Sequence, residues 1–195
     1  MMSPVTRQAR PTIRATMSRY RRARDGQTYF FTLVSYWRRP ILCSTPIRNA
    51  LRSALIDVRQ RRRFDIDAWV LMPDHLHTIW TLPLDDSDYS TRWALIKRLV
   101  SRACANQFDT GWQPSASRIK HRDAGIWHRR FHEHKIRDEW DFEKHMDYIH
   151  FNPVKHGYAG SAAAWPFSTF HRYVREGVYA ADWGGTGHAA RVEWD

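Results

Sequence analysis

Met72-Pro73-Asp74-His75-Leu76-His77-Thr78-Ile79-Trp80 is a proline-aspartate turn followed by alternating polar and apolar residues. That alternation predicts a β-strand. Residues two apart in a strand share a face, so His75 and His77 point one way and Leu76, Thr78 and Trp80 the other. Two neutral imidazoles side by side on a rigid strand make half of a divalent-metal site. Taken alone, a His-x-His is more often a pair of partly exposed edge-strand histidines, so its meaning depends on its neighbours.

Working outward, residues 64–72 (FDIDAWVLM) predict the preceding strand, and only Pro73-Asp74 separates the two, so they form an antiparallel hairpin. Residues 27–37 (QTYFFTLVSYW) are rich in β-formers and apolar on both faces, as in a central strand. Thr45-Pro46 supplies a cap and a first-turn proline. Ile47, Ala50, Leu51, Ala54, Leu55 and Val58 then follow at helical spacing to about Arg62. Ser90 is placed to cap a second helix with the apolar stripe Trp93, Ile96, Val100, Ala103 and Cys104. Arg92, Lys97, Arg98 and Arg102 lie mostly off that stripe. Residues 108–125 show no period and read as a loop, and 126–136 (IWHRRFHEHKI) read as a fourth strand.

The order strand, helix, strand, strand, helix, strand predicts an α+β fold of the ferredoxin-like, split βαβ kind. Its antiparallel sheet of four to five strands carries helices on one face. In that topology the first and third strands are central, which sets His75 and His77 mid-sheet. Asp138 can cap an additional helix through Trp140, Phe142, Met146 and Ile149, ending at Pro153. Lys144, Tyr148 and Asn152 share one of its faces as a polar stripe, with His145 at the edge.

The 195 residues suit one domain of residues 19–157. An acid-free leader, 1–18, is expected to be disordered, and an extension, 158–195, to wrap the domain. Met17 is an equally good start of translation, and the leader's composition would also pass for a transit peptide. Cys43 and Cys104 are the two cysteines, far apart and without a Cys-x-x-Cys, so neither a disulfide framework nor a cysteine-built zinc site is indicated, which fits a reducing cytoplasm. No apolar run approaches the roughly 18 residues needed to span a bilayer. Lys and Arg total 31 against 20 acids, a net charge of +11, and the basic residues are interleaved with aromatics. Arginine clamps phosphates and aromatic rings stack on unpaired bases, so a nucleic acid is the expected partner and a membrane is not.

Those residues suggest a reaction. A cation held by His75 and His77 would polarise a phosphodiester, and a tyrosine hydroxyl would attack phosphorus to leave a covalent phosphotyrosine. Asn152, one helical turn after Tyr148, is placed to reach the same cation. Met72-Pro73-Asp74-His75-Leu76-His77 with Trp80, and Asp147-Tyr148-Ile149-His150-Phe151-Asn152-Pro153-Val154-Lys155-His156-Gly157, together resemble the REP-associated tyrosine transposases. These are bacterial relatives of single-tyrosine HUH transposases. Trp165-Pro166-Phe167-Ser168-Thr169-Phe170-His171-Arg172 and Asp182-Trp183-Gly184-Gly185 resemble the family's C-terminal segment, so the likeness runs from about Tyr20 to Gly185.

The resemblance implies a cytoplasmic, nucleoid-associated endonuclease, often a monomer. It would nick and rejoin single-stranded DNA at a REP hairpin with Mg or Mn, through a 5′-phosphotyrosine. By motif position His75 and His77 are ligands, Tyr148 the nucleophile and Asn152 the third ligand. The leader and the 108–125 loop exceed the pattern of short members.

His132-Glu133-His134 is a second His-x-His with a charged central residue; His134 is expected to line the site or touch DNA. A histidine-triad hydrolase would need a histidine where Ile79 stands. The rival from another class is a non-catalytic nucleic-acid-binding module, although no RNP-like motif is present. Arg19, Arg21, Arg22, Lys97, Arg98, Arg129 and Arg130 are candidate backbone contacts. Lys155 and His156 follow the tyrosine helix and are expected to meet the scissile phosphate or balance the tyrosinate.

Overall fold

The hydrophobic pattern on both faces of two strands organises the chain, and the computed structural model describes residues 26–105, 107 and 125–185 of it. Its elements are β1 (Gly26–Val34), α1 (Thr45–Arg61), β2 (Asp65–Leu71), β3 (His75–Pro83), α2 (Tyr89–Ala103), β4 (His132–Lys135), α3 (Glu139–Lys155) and α4 (Phe170–Arg175). Short 3-10 turns lie at Tyr36–Arg38 and Ala162–Ala164. The strands form one antiparallel sheet of order β2-β3-β1-β4, so β1 and β3 are central, as the topology requires. The basic arm with Arg19, Arg21 and Arg22, the leader, residues 108–124 and the chain's last ten residues lie outside the described residues.

A two-residue turn joins β2 to β3: the Met72 amide donates to the His75 carbonyl at 2.8 Å across Pro73-Asp74. β3 then alternates. Leu76, Trp80 and Leu82 join Tyr29, Phe31 and Leu33 of β1 in the core under α1 and α2. Trp80 stacks on Trp93 of α2 at 3.9 Å. Ile79 and Phe30 face the other way, into a second core with Phe142, Met146 and Ile149 of α3 and Phe170 of α4. The sheet is thus covered on both faces: α1 and α2 on one, the additional helix on the other.

Four details depart from the sequence expectations. The cap of α2 is Asp88, which accepts from the Thr91 amide at 3.0 Å, and Ser90 lies inside the helix. Arg92 is fully buried, held by Asp86 at 2.6 Å and by the Arg63 carbonyl, because an ion-paired guanidinium can end the chain's polar needs at a crowded helix start. The segment 126–136 forms two short pairings instead of one strand. Trp127 pairs with Ser35 and His132 with Thr32, so five steps on one side meet three on β1 and the exposed run around Arg129 and Arg130 bulges outward.

Finally, α3 continues through Pro153. A proline deletes one donor, and the helix runs on to Lys155. It ends in a Schellman turn: the Gly157 amide donates to the Val154 carbonyl and the Tyr158 amide to the Pro153 carbonyl, with Gly157 at φ 72°. Beyond it, residues 167–169 run along the free edge of β2, where the Leu71 amide donates to the Phe167 carbonyl at 2.9 Å.

Replacing Trp80 with Ala is expected to cost about 3–5 kcal/mol in urea unfolding, since it empties the stacked core. Gly157→Ala meets no atom within 4 Å, yet is expected to cost about 1–2 kcal/mol from left-handed backbone strain alone.

Candidate active site

β1 and β3 set the two imidazoles. Thr32 is paired with His77 and Val34 with His75, so one face of the sheet presents Phe30, Thr32, His75 and His77 together. The His75 and His77 rings lie 4.9 Å apart and both residues are buried. His77 is hydrogen-bonded through Nδ1 to the Thr32 hydroxyl at 2.8 Å. His75 is bonded through Nδ1 to Asp74 at 2.6 Å, and the other Asp74 oxygen accepts from Arg38 at 3.0 Å. Burial alone would raise the Asp74 carboxyl, but His75 and the Arg38 guanidinium hold it below its ordinary range. Burial, with the basic side chains of His75, His156, Lys155 and Arg38 nearby, pushes His77 well below its usual value, so it is neutral at pH 7. A carboxylate or hydroxyl at Nδ1 fixes the tautomer and turns the Nε2 lone pair outward, which is how ligating histidines are held.

α3 covers this face. Its cap, Asp138, accepts from the Asp141 amide at 2.8 Å, as the sequence predicts. Tyr148 and Asn152, four residues apart, both reach the imidazoles. The Tyr148 ring meets the His77 ring edge-on at 5.0 Å, and the Lys155 ammonium lies 5.0 Å over the Tyr148 ring. Burial raises the Tyr148 phenol above its ordinary value of 10.0, and the neighbouring Asn152 amide acts against that rise. Asn152 is fully buried, with Oδ1 3.2 Å from His75 Nε2. The His156 ring sits 5.2 Å from that of His75.

The donor set fits a divalent cation. His75 Nε2 and Asn152 Oδ1 lie 3.2 Å apart, and in the tautomer that carries its single proton on Nδ1, toward Asp74, both atoms present lone pairs. His77 Nε2 and Asn152 Nδ2 are buried without a hydrogen bond of ordinary geometry. Two opposed lone pairs beside an orphaned third is the arrangement a cation satisfies.

A second group among the described residues could also hold an ion: donor atoms of His134, Asp141 and His145 lie within 4.8 Å of one another. Here, however, the carboxylate is already occupied. Asp141 accepts from His134 at 2.8 Å and from the Arg137 amide and guanidinium, and His145 lies 3.1 Å from its other oxygen. Burial opposes its ionisation, but these donors hold it at about 2. The group touches the first site through Phe30, which packs on His145 at 4.7 Å and on His77 at 5.5 Å.

The predicted contact residues divide. Arg98, Arg129, Arg130, Lys155 and His156 are exposed. Lys97 is instead turned to the carbonyls of His128 and Arg129, at 3.1 and 3.3 Å, tying α2 to the bulge. Lys144 leaves the Tyr148 stripe and lies 4.2 Å over Trp140. His134 is engaged with Asp141, and His132 is exposed. Sequence reasoning missed Thr32, Asp74 and Arg38. Asp74 stood in the quoted motif as a turn residue, and its adjacency to His75 was the available signal.

The back of α3 is anchored separately. His150, fully buried, is hydrogen-bonded to the Tyr179 hydroxyl at 3.2 Å and the Thr169 hydroxyl at 3.0 Å, and Tyr179 donates to Asp147 at 2.6 Å.

No family model matches the chain. It is 44% identical over 170 residues to the REP-associated tyrosine transposase of Escherichia coli, covering 87% of this chain and 92% of that protein. It is 41% identical to the putative REP-associated tyrosine transposase of Haemophilus influenzae, covering 87% and 94%. A solved structure of a REP-associated tyrosine transposase bound to a REP hairpin superposes with a TM-score of 0.68 at 44% identity, covering 87% and 92%.

Burial holds His150 at about 3, below its ordinary 6.5, so the unfolded chain takes up this proton first as pH falls. Stability is expected to be full above pH 6.5 and to drop between 6.5 and 3, by roughly 1.4 kcal/mol per pH unit for this one proton. Urea midpoints across that range check the slope, which His150→Gln should flatten while lowering stability at pH 7.

Proposed function

Since this chain belongs to the REP-associated tyrosine transposases, we propose that it cuts and rejoins single-stranded DNA at a REP-type hairpin. Tyr148 is the nucleophile, and His75, His77 and Asn152 hold Mg or Mn. One observation carries the reading: a single helix brings the Tyr148 ring against His77 and the Asn152 amide against His75. When bound, the ion would withdraw charge from the non-bridging oxygens of the scissile phosphate.

The chain's own residues do the rest. Asp74 and Thr32 hold the two rings in place through Nδ1, which aims each Nε2 into the site, and burial keeps His77 neutral. The Tyr148 hydroxyl passes its proton to water, and its oxygen attacks phosphorus. The Tyr148–O–P bond forms as the P–O3′ bond breaks, and the departing 3′ oxygen takes up a proton. Lys155, over the Tyr148 ring, favours the phenolate against the burial that opposes it. The phosphotyrosine keeps the phosphodiester's energy, so a 3′ hydroxyl can reverse the step on the same or another strand.

Arg98, Arg129, Arg130 and His156, exposed on a chain of charge +11, contact the DNA backbone. The catalytic unit is residues 19–157, Thr169 and Tyr179 of the following segment support α3 from behind, and the proposed ligands and nucleophile all come from one copy, in keeping with a monomer.

The test is covalent capture. With a hairpin bearing a single-stranded flank and Mn, the wild type is expected to give an SDS-resistant adduct that EDTA prevents. Tyr148→Phe should give none while binding the hairpin as tightly. A wild type that binds but never forms the adduct would make this a non-catalytic DNA-binding protein. Lys155→Ala should slow capture about tenfold with little change in affinity.

A further inference from the structure

Just after β1, Trp37 and Arg38 adopt φ of 54° and 51°, the non-glycine residues with positive φ among those described. Side chains with a Cβ rarely enter this left-handed region, and two in succession is a costly arrangement for a tryptophan and an arginine. The turn is nevertheless tightly clamped. The Ser35 amide donates to the Asp74 carbonyl at 2.8 Å, the Tyr36 amide to the Ile126 carbonyl at 2.8 Å, and the Ser35 hydroxyl to the Arg39 carbonyl at 2.7 Å.

The clamp leaves Trp37 largely uncovered. The residue is 73% exposed, the most of the big apolar residues among those described, and its ring lies flat on Tyr36 with ring centroids 4.9 Å apart and planes 21° apart. A single exposed tryptophan needs no explanation. A tryptophan held out by strained backbone, with little burial in return, does.

The turn's position supplies one. Arg38, the next residue, bonds Asp74, and Asp74 bonds His75. The turn that carries the exposed ring therefore borders the site, linked through the Arg38 and Asp74 side chains to a proposed metal ligand, on a strongly basic chain. A flat ring of that kind takes a nucleobase, because every base offers a π-face and stacking needs no sequence.

We propose that Trp37 is a stacking subsite for one unpaired base of the DNA strand that enters the site, with the Tyr36–Arg38 turn holding the ring at a set height beside His75. The proposal rests on the reading of this site as one that takes single-stranded DNA. Trp37 is a positioning residue: it fixes which nucleotide lies over the imidazoles and takes no part in bond making.

The test uses the full chain and a hairpin oligonucleotide with a single-stranded flank, wild type against Trp37→Ala and Trp37→Phe, and a series of flanks each with one abasic site. Anisotropy titrations should show Trp37→Ala weakened about 5- to 100-fold, with Trp37→Phe near wild type. One abasic position should weaken the wild type by a similar factor and then cost Trp37→Ala nothing further. Unchanged affinity in Trp37→Ala, or losses that simply add at every abasic position, would overturn the subsite.

Trp37→Gly provides a second readout. It should weaken DNA binding while melting no lower than wild type, because glycine accepts the backbone; a clear fall in Tm would mark the ring as structural and sink the proposal. The two readings fail separately. Base-specific coupling without an SDS-resistant adduct removes the nuclease and keeps the subsite, whereas an adduct without coupling does the reverse.

Discussion

A slip of one residue in the pairing of β3 with β1 would send Leu76 and Trp80 toward α3 and drive both imidazoles into the apolar layer beneath α1 and α2. The whole molecule depends on that register. It is held from both faces at once: Trp80 stacks on Trp93 on one side, while on the other the Thr32 hydroxyl opposite His77 accepts no apolar replacement without orphaning a ring nitrogen. Because β1 and β3 are the central strands, neither imidazole can move without moving the sheet. A donor set built there is rigid before any ligand arrives.

Against this fixed half stands a helix with two working faces. The front of α3 carries Tyr148 and Asn152 to the histidines, and its back is fastened by His150 and Asp147 to the C-terminal segment that edges β2. The site therefore relies on residues far along the chain that never approach it. Electrostatics sharpen the division. His150 is kept neutral by burial, and His77 by burial with basic neighbours, so the His77 lone pair that faces the site stays free of a proton. The His134–Asp141–His145 group shows the opposite economy. Its carboxylate is saturated by donors, and its rings are stacked at 4.8 Å, which braces the start of α3 against β4.

Much of this was legible in one dimension. Period-two alternation sets the histidines' face, the Pro73-Asp74 turn sets the hairpin, and element order sets β1 and β3 at the centre. Asp138 was readable as a cap, and the four-residue spacing of Tyr148 and Asn152 as a shared face. Each of these is a local property, decided within a few residues by backbone geometry. The misreadings were also local rules, overruled by neighbours. Asp88 displaced Ser90 at the start of α2 because a second aspartate, Asp86, and Arg92 organise that corner. Pro153 failed to stop α3 because only one donor is lost so near the end.

By itself, then, the sequence determined the order of the strands, the face that His75 and His77 share and the face that Tyr148 and Asn152 share, since these follow from periodicities the chain carries along its length, whereas the register of β3 on β1 came from the fold. The tertiary structure decided which polar atoms are left without partners, and that depends on groups distant in sequence arriving together. Arg38 reaches Asp74 across 36 positions, Thr32 reaches His77 across 45, and Lys97 is drawn to the His128 carbonyl across 31. No spacing rule encodes such encounters. They exist only once the folded chain has excluded water and each buried donor must find the acceptor that packing happens to place beside it.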